Sequence, residues 1–281
     1  MNDHRAILIT GASTGIGHAS ALRLAEAGFI VFAGVRRESD ARDKGALHAN
    51  IRPLLLDVTN AEHIASAFAR VRESGVPLFG LLNNAGIAVG GPLEYLPVDD
   101  LRRQFEVNVF GTIAVTQAAI PFLRATRGRV VTIGSIAGRF GAPFVGPYGA
   151  SKAAVATLVD SLRMELAPFG IRTVLFEFAA VKTPIWEKGR ALKDELEGSL
   201  PEQAQRDYAP FIEAMVRQIA HEERGGLEPS LIADAILTAF TTPSPRARYV
   251  IGRQAKLQAA VALLPHKTRD NMIRKVLRLS S

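Results

Sequence analysis

The chain has 281 residues, of which 48% are hydrophobic and 22% charged, a composition that fits a large globular domain and excludes disordered and fibrous proteins. It contains no cysteine, which excludes disulfides, cysteine metal sites and a cysteine nucleophile. The net charge is +7, but the residues from Arg253 onward hold +6 of it, so the body is nearly neutral and we expect no nucleic-acid partner.

The beginning of the chain is polar from Met1 to Arg5 and then apolar for only a few residues. An apolar run of this length is too short for a signal peptide or a membrane span. We therefore expect a soluble cytoplasmic protein, and the residue types present suggest no metal site.

Short apolar runs alternate with longer helix-like stretches, which is the pattern of parallel strands joined by crossover helices. Seven runs are predicted strands: Ala6–Thr10, Ile30–Val35, Ile51–Leu56, Phe79–Leu82, Arg129–Ile133, Ile171–Phe178 and Arg248–Ile251. They predict an α/β fold with a single doubly wound, Rossmann-type parallel sheet, helices on both faces, and a ligand site beyond the carboxyl ends of the strands. We expect one catalytic domain over 1–252, with a substrate-side insertion near 184–227, and a basic extension over 253–281.

A glycine-rich loop follows the first predicted strand and opens a predicted helix. Glycines permit a tight turn and close approach of the backbone to a pyrophosphate, and a helix N-terminus offers free N–H groups. The spacing differs from the common G-x-G-x-x-G, yet strand, turn and helix come in the order that a phosphate site requires. The loop residues expected to bind a dinucleotide cofactor are Gly11, Ser13, Thr14, Gly15, Ile16 and Gly17.

Two arginines end the second predicted strand, about twenty residues beyond the loop, where an NAD site would place an acidic residue. Arg36 and Arg37 stand there instead. A guanidinium group can bind a phosphate through two parallel hydrogen bonds, so this pair favours the 2′-phosphate of NADP. The alternatives are an NAD site and a solvated charge pair at the end of a strand.

A tyrosine and a lysine lie four residues apart in a helix-forming stretch, as Tyr148 and Lys152. Residues at this spacing share one helix face, so a proton donor and a cation can point into one pocket. The ordinary pKa of tyrosine is about 10, but a neighbouring ammonium and an oxidised nicotinamide favour the phenolate. This pair could transfer a proton to or from an alcohol oxygen, although the spacing alone also arises by chance.

Polar residues follow two more predicted strands, at the edge where ligands bind. Ser135 comes just after the strand Arg129–Ile133, and its hydroxyl could orient a substrate oxygen. Asn84, Ala85 and Gly86 come just after the strand Phe79–Leu82. Asn108 lies inside a helical pattern where asparagine is a mild misfit, and such misfits often mark function.

With these motifs in order, the chain resembles the short-chain dehydrogenase/reductase family, in its single-domain branch, up to about residue 252. The matching features are the Thr-Gly-x-x-x-Gly-x-Gly loop, Asp57, Asn83-Asn84-Ala85-Gly86, Asn108, Ser135, Tyr148 and Lys152. The resemblance implies that Tyr148 is the acid/base, and that Lys152 lowers its pKa and holds the nicotinamide ribose. It also implies that Ser135 binds the substrate oxygen, and that Asn108 positions a water molecule in a proton relay.

The same resemblance assigns further residues to the cofactor. Asp57 and Val58 are expected to contact the adenine, although Asp57 also fits a turn or cap residue at a strand end. Asn84, Ala85 and Gly86 are expected beside the ribose, and Val181 and Thr183 beside the nicotinamide. The family usually has Pro-Gly before this threonine, whereas this chain has Ala179-Ala180. If that position needs a positive φ, Ala180 is strained, or the backbone takes another course.

Bulky apolar residues near the motif ends and in the insertion favour a large hydrophobic carbonyl or alcohol as substrate: Ile136, Phe140, Phe144, Val145, Ile185, Trp186 and Phe211. The segment 181–188 resembles the steroid and retinoid dehydrogenases of the family, so a steroid, retinoid or lipid-like substrate is the first hypothesis. The alternatives are a 3-oxoacyl-thioester reductase, and a cofactor-binding regulatory or scaffold protein without turnover. Family resemblance also implies a homodimer or homotetramer.

The extension past Arg253 contains Met272, Ile273, Val276 and Leu277 at helical spacing among basic residues. This is the pattern of an amphipathic basic helix. Such a helix could lie on an anionic membrane as a peripheral contact. It could also pack on the body or on a sister subunit, with a solvated basic face.

Overall fold

A computed structural model of the protein describes residues 5–40, 48–183, 198 and 200–277. The described strands form one parallel sheet in the order β3-β2-β1-β4-β5-β6-β7. The strands are β1 (Ala6–Ile9), β2 (Ile30–Val35), β3 (Ile51–Leu55), β4 (Leu78–Asn83), β5 (Arg129–Ile133), β6 (Arg172–Phe178) and β7 (Arg248–Ile251). All seven predicted strands are confirmed, with bounds that shift by one residue at most.

Helices connect the strands as crossovers. The described α-helices are α1 (Gly15–Glu26), α2 (Ala61–Glu73), α3 (Val98–Phe105), α4 (Thr112–Thr126), α5 (Gly146–Leu166), α6 (Glu202–Gly225), α7 (Pro229–Thr241), α8 (Arg253–Val261) and α9 (His266–Leu277). Local sequence explains several of their ends. At the start of α2, for example, the Asn60 side chain accepts hydrogen bonds from the backbone N–H groups of Glu62 and His63.

The sheet is covered on both faces, which is why its central strands read as unbroken apolar runs. On one face, α1 and α7 bury Leu24, Ile236 and Phe240 against the sheet. In a second cluster, α2 and α4 bury Phe68 and Leu123. The predicted doubly wound architecture is therefore confirmed.

The strand order reverses between β1 and β4, because β2 and β3 lie on one side of β1 and β4 to β7 follow on the other. Loops leaving β1 and β4 consequently run in opposite directions and open a crevice beyond the carboxyl ends of the strands. The glycine loop follows β1, Asn84 follows β4 and Ser135 follows β5, so the topology brings these predicted site segments to one edge.

The stretch Val98–Thr126 is long and apolar enough, by length and composition alone, to cross a membrane. Its apolar window is 44% buried in the fold, and Val115, Ala119 and Leu123 belong to the core. We interpret it as a core helix of the domain.

Candidate active site

The glycine loop between β1 and α1 leaves no room for side chains at several positions. Gly11 and Gly15 have φ values of +65° and +57°, in the left-handed region that favours glycine. A Cβ at Gly17 would overlap the carbonyl oxygen of Gly11 and come within 2.5 Å of Asn84 Nδ2. The bare backbone at this turn lets a phosphate group approach closely.

The helix that follows offers a suitable end for an anion. Within the described residues, Thr14 makes no capping hydrogen bond through its side chain, and the first turn of α1, which begins at Gly15, holds no acidic residue. The first N–H groups of α1 and the positive end of its dipole are therefore not occupied by a carboxylate. Thr14 is exposed and Ser13 half-buried beside them, while Ile16 packs inward. These features fit the pyrophosphate of a dinucleotide.

Asn84 fastens the glycine loop to the end of β4. Its side-chain Nδ2 donates hydrogen bonds to the carbonyl oxygens of Thr10 and Gly11, at 3.0 and 2.9 Å. In return, the Thr10 hydroxyl accepts from the backbone N–H groups of Asn84 and Ala85, both at 3.0 Å. Thr10 was not among the predicted site residues, although a threonine directly before the loop was a visible signal.

The ends of β2 and β3 place Arg36, Arg37 and Asp57 on one side of the crevice. Both arginines are exposed. The Asp57 Oδ1 accepts hydrogen bonds from the backbone N–H and the hydroxyl of Thr59, at 2.9 and 2.7 Å, so Asp57 is a turn residue. Burial by itself raises the pKa of Asp57, but the Thr59 hydrogen bonds and the charge of Arg36 lower it overall. Val58 is buried against Gly111 and supports this end of the crevice.

Ser135, Tyr148 and Lys152 form one cluster. Ser135 follows β5 in an extended conformation, and its hydroxyl lies near enough to the Tyr148 phenol to oppose the rise in that phenol's pKa. Tyr148 lies in the first turn of α5, and the Lys152 ammonium, one turn further, lies 5.7 Å from the centroid of its ring. Lys152 Nζ also donates a 2.9 Å hydrogen bond to the carbonyl oxygen of Ile133. Tyr148 and Lys152 thus share one helix face, and the end of β5 adds Ser135 to the same cluster.

The surroundings of this cluster set its proton balance. Burial raises the pKa of Tyr148, and the hydrogen bond from Ser135 opposes that rise. Burial lowers the pKa of Lys152 to about 8. The Tyr148 phenol is therefore protonated at neutral pH. The protonated phenol is the form that can give a proton to a carbonyl oxygen. The family role in which Lys152 lowers the pKa of Tyr148 stays a prediction.

Asn108 lies in a π-helix, Glu106–Gly111, between α3 and α4. Its Nδ2 donates to the carbonyl oxygen of Ile87 and to the Ser151 hydroxyl, both at 3.0 Å, and its Oδ1 accepts from Ile87 N at 2.9 Å. The amide therefore ties the segment after β4 to α5. A Cβ at Gly86 would lie 3.3 Å from Asn108 Oδ1 and 3.7 Å from Lys152 Nζ, so Gly86 packs between them.

Gln104 is a positioning residue that sequence reasoning missed. Its side chain is fully buried, accepts a hydrogen bond from Val89 N and donates one to the carbonyl oxygen of Ile87, both at 2.6 Å. It lies four residues before Asn108, so the two amides hold the same segment from one helical face. A glutamine four residues before the misfit Asn108, on the same helical face, was the available signal.

The segment after β6 resolves the question raised by Ala179-Ala180. Among the described non-glycine residues, only Arg127 and Phe144 have positive φ, so Ala180 carries no left-handed strain. Ala180 is buried, and its carbonyl oxygen accepts a hydrogen bond from Leu227 N. Val181 is buried beside it in a parallel bridge with Leu227. A Cβ at Gly15 would lie 2.9 Å from Thr183 Cγ2, which places Thr183 against the glycine loop.

An aromatic cluster joins the segment after β4, the residue Phe144 just before α5, and helix α6. Phe144 packs edge-on against Tyr208 and stacks on Phe211, with ring centroids 6.0 and 6.1 Å apart, and Tyr95 completes the group. Phe144 has a φ of +67°, an uncommon strain for a bulky residue and one that clusters at functional sites. Ile136 is buried, and Phe140 and Val145 are half-buried nearby in sequence, while Ile185 and Trp186 lie outside the described residues.

A buried carboxylate holds the turn that carries Ser135. Glu177 of β6 is 2% exposed and forms a bidentate ion pair with Arg139, with N–O distances of 3.0 and 2.5 Å. Arg139 ends the 3₁₀ turn that begins directly after Ser135, and Arg248 of β7 lies 3.5 Å from the same carboxylate. Because a buried carboxylate is stable only when paired, this contact fixes the turn against the sheet.

Comparisons with known proteins agree with this geometry. Residues 5–194 match the family described as short chain dehydrogenase. The chain is 37% identical over 255 residues to a 3-amino-tetrahydro-pyrrolizinone reductase of Xenorhabdus hominickii, covering 90% of this chain and 88% of that protein. It is 32% identical to an NADPH-dependent 3-dehydrocapnine reductase of Ornithobacterium rhinotracheale, covering 98% of each. Among solved structures, a short-chain dehydrogenase from Streptomyces avermitilis superposes with a TM-score of 0.79 at 27% identity, over 99% of this chain and 98% of that one.

Proposed function

Since the chain belongs to the short-chain dehydrogenase family, we propose that it is an NADP(H)-dependent oxidoreductase that interconverts a carbonyl and an alcohol on a bulky hydrophobic substrate. The observation that carries the proposal is the cluster of Ser135, Tyr148 and Lys152 at the crevice lined by the glycine loop. The test is a panel of ketones, aldehydes and their alcohols, followed by NADPH absorbance. Turnover confined to small polar sugars or keto acids would contradict the substrate class.

The protein residues have separate roles in the proposed reaction. When bound, the nicotinamide supplies or accepts the hydride. The Ser135 hydroxyl hydrogen-bonds the substrate oxygen, and Tyr148 gives its proton to that oxygen in reduction or takes it in oxidation. Lys152 holds the ribose and stabilises the phenolate that remains after proton transfer. Asn108 holds the segment after β4 and positions a water molecule for proton return.

Arg36 and Arg37 are proposed to select NADPH over NADH. Replacing both by Ala is expected to raise the KM for NADPH about tenfold and to leave the KM for NADH nearly unchanged, because only NADPH carries the 2′-phosphate. The control is Arg70→Ala, which removes an exposed arginine from α2 on another surface. Steady-state kinetics with both cofactors makes the comparison. An equal effect on both would show that the arginines do not read the phosphate.

Phe211 is proposed to form part of the substrate wall. Phe211→Ala is expected to raise the KM for a bulky hydrophobic carbonyl about tenfold, because an aromatic side chain that buries substrate surface contributes roughly 1.5 kcal/mol or more. A small carbonyl should lose much less. Phe169→Ala, at a surface position where the ring stacks on Arg124, serves as the control. A uniform loss for small and bulky substrates would instead indicate a general effect on folding.

We also propose a homo-oligomer. Phe110 is 58% exposed on the π-helix before α4, and Leu158 is exposed on α5, which contacts that π-helix. Exposed apolar residues on neighbouring helices are typical of subunit interfaces. The distinction between dimer and tetramer and the cytoplasmic location stay predictions.

A further inference from the structure

The last two described helices leave several large apolar side chains in solvent. Leu263, in the turn between α8 and α9, is 86% exposed, and Val276 on α9 is 68% exposed. Leu257 on α8 and Met272 on α9 are exposed as well. Leu264 is exposed too; single exposed apolar residues are ordinary, but five within 20 consecutive residues form a feature that folding of this chain does not account for.

The faces of α9 divide in a definite way. Met272 and Val276 are four residues apart and share one face, and Lys275, three residues after Met272, borders that face. Ile273 and Leu277 are half-buried, and α9 contacts α6. The helix therefore uses one apolar edge for packing on the domain and presents a second one outward.

Basic residues accompany the outward apolar ones. Lys256, Lys267, Arg274 and Lys275 are exposed, whereas the single acidic residue of the described extension, Asp270, lies 3.9 Å from Arg269. Long basic side chains can pack their aliphatic stems along an apolar layer while the charge stays in water. Apolar side chains flanked by lysine and arginine match the chemistry of an anionic lipid surface.

The extension also packs against two elements that carry residues of the candidate site or its surroundings. Helix α8 begins directly after β7 and packs on the turn that follows Ser135, and Gln254 donates a 2.7 Å hydrogen bond to Glu222 of α6. Helix α6 also carries Tyr208 and Phe211 of the aromatic cluster. The extension is therefore attached both to the turn that follows Ser135 and to the helix that carries Tyr208 and Phe211.

We propose that residues 253–277 dock the protein on an anionic phospholipid membrane. The apolar side chains enter the boundary between headgroups and acyl chains, and the basic residues contact the lipid phosphates. An acidic protein would match the charge equally well, but it would need a continuous apolar patch, whereas these side chains are spread over two helices and a turn. The proposal does not require turnover, so it stands or falls separately from the enzymatic function.

The experiment is co-sedimentation of the full chain with vesicles of phosphatidylcholine alone or of phosphatidylcholine with phosphatidylserine. The expected result is at least about tenfold stronger partitioning onto the serine-containing vesicles at low salt, weakened by added salt. Leu263→Glu/Val276→Glu should reduce that partitioning about tenfold or more, and Lys267→Glu/Lys275→Glu should do the same. Met164→Glu, which changes a similarly exposed apolar residue on α5, should bind like the original protein.

Circular dichroism of each variant checks that it is folded. The proposal is wrong if the original protein does not sediment with anionic vesicles. It is also wrong if the Leu263→Glu/Val276→Glu variant sediments as strongly as the original protein. Light scattering tests the remaining alternative. If the original protein does not bind vesicles and the Leu263→Glu/Val276→Glu variant forms a smaller oligomer, residues 253–277 join copies of the chain and the proposal is wrong.

Discussion

Tyr148→Phe is expected to lower kcat by about a thousandfold, because a positioned acid or base contributes roughly 10²–10⁴ to such reactions. The variant keeps the ring that packs near the Lys152 ammonium and loses only the hydroxyl, whose pKa Ser135 influences. The Kd for NADPH should therefore stay within about twofold of the value for the original protein. The hydroxyl is proposed to act in the transition state, and its loss should lower kcat without weakening binding. The measurement is single-turnover kinetics together with a fluorescence titration of NADPH.

Tyr249→Phe is the matched control. Its hydroxyl accepts a hydrogen bond from Arg246 N, away from the crevice, so turnover should change little. A Tyr148→Phe variant with nearly full kcat would remove the basis of the proposed mechanism. If neither the original protein nor the variant turns over any carbonyl in the panel, yet both bind NADPH and a protein partner, the scaffold alternative is favoured instead.

Lys152→Met is expected to be more stable than the original protein near pH 7, with a difference that shrinks by up to about 3 kcal/mol as pH rises towards 10. Burial lowers the pKa of Lys152 from 10.5 to about 8. Between these values the unfolded chain holds the proton and the folded protein does not, so the stability of the original protein rises with pH. Below about 8 both states are protonated, and the folded protein bears the full desolvation cost of the ammonium.

Urea unfolding of both proteins across this pH range measures the difference. Tyr148 does not disturb the window, because its pKa is raised above the ordinary value and would lower stability only at higher pH. Lys182→Met, at the surface beside Glu228, accounts for general effects of pH on the protein. A difference between Lys152→Met and the original that is constant from about pH 7 to 10 would mean that the buried amine has no lowered pKa.

The fold was predictable because the sequence pattern that specifies each strand is local and recurs along the chain. Each strand is a short apolar run bounded by a turn, and seven such runs in alternation with helices leave few arrangements other than a doubly wound sheet. The edge of the sheet that holds Ser135 and Asn84 follows from that topology alone. The spacing of Tyr148 and Lys152 likewise fixes their shared face before any tertiary contact is known.

Other features of the site depend on contacts far apart in sequence. The sequence shows that Asn108 is a misfit in a helix. It does not show the π-helix around Asn108 or the hydrogen bonds to Ile87 and Ser151, because no local pattern specifies them. The aromatic cluster joins residues near 95, 144 and 208. The burial that raises the pKa of Tyr148 above its ordinary value is likewise not given by the sequence.

At Ala179-Ala180, where the family usually has Pro-Gly, the sequence raised a question that the backbone geometry answers. The sequence raised two options, strain at Ala180 or another course of the backbone. Ala180 has no positive φ, so strain does not arise. The backbone there pairs with Leu227, and Thr183 still lies beside Gly15.

The position of β7 at the end of the sheet order has a consequence for how the protein is synthesised. A nascent chain that has not yet released residues 248–251 from the ribosome leaves β6 as an open edge, although nearly all residues of β6 are buried in the finished sheet. Glu177 then also lacks the guanidinium of Arg248. Chains that stall or are truncated before this point expose an apolar strand edge able to pair with another chain.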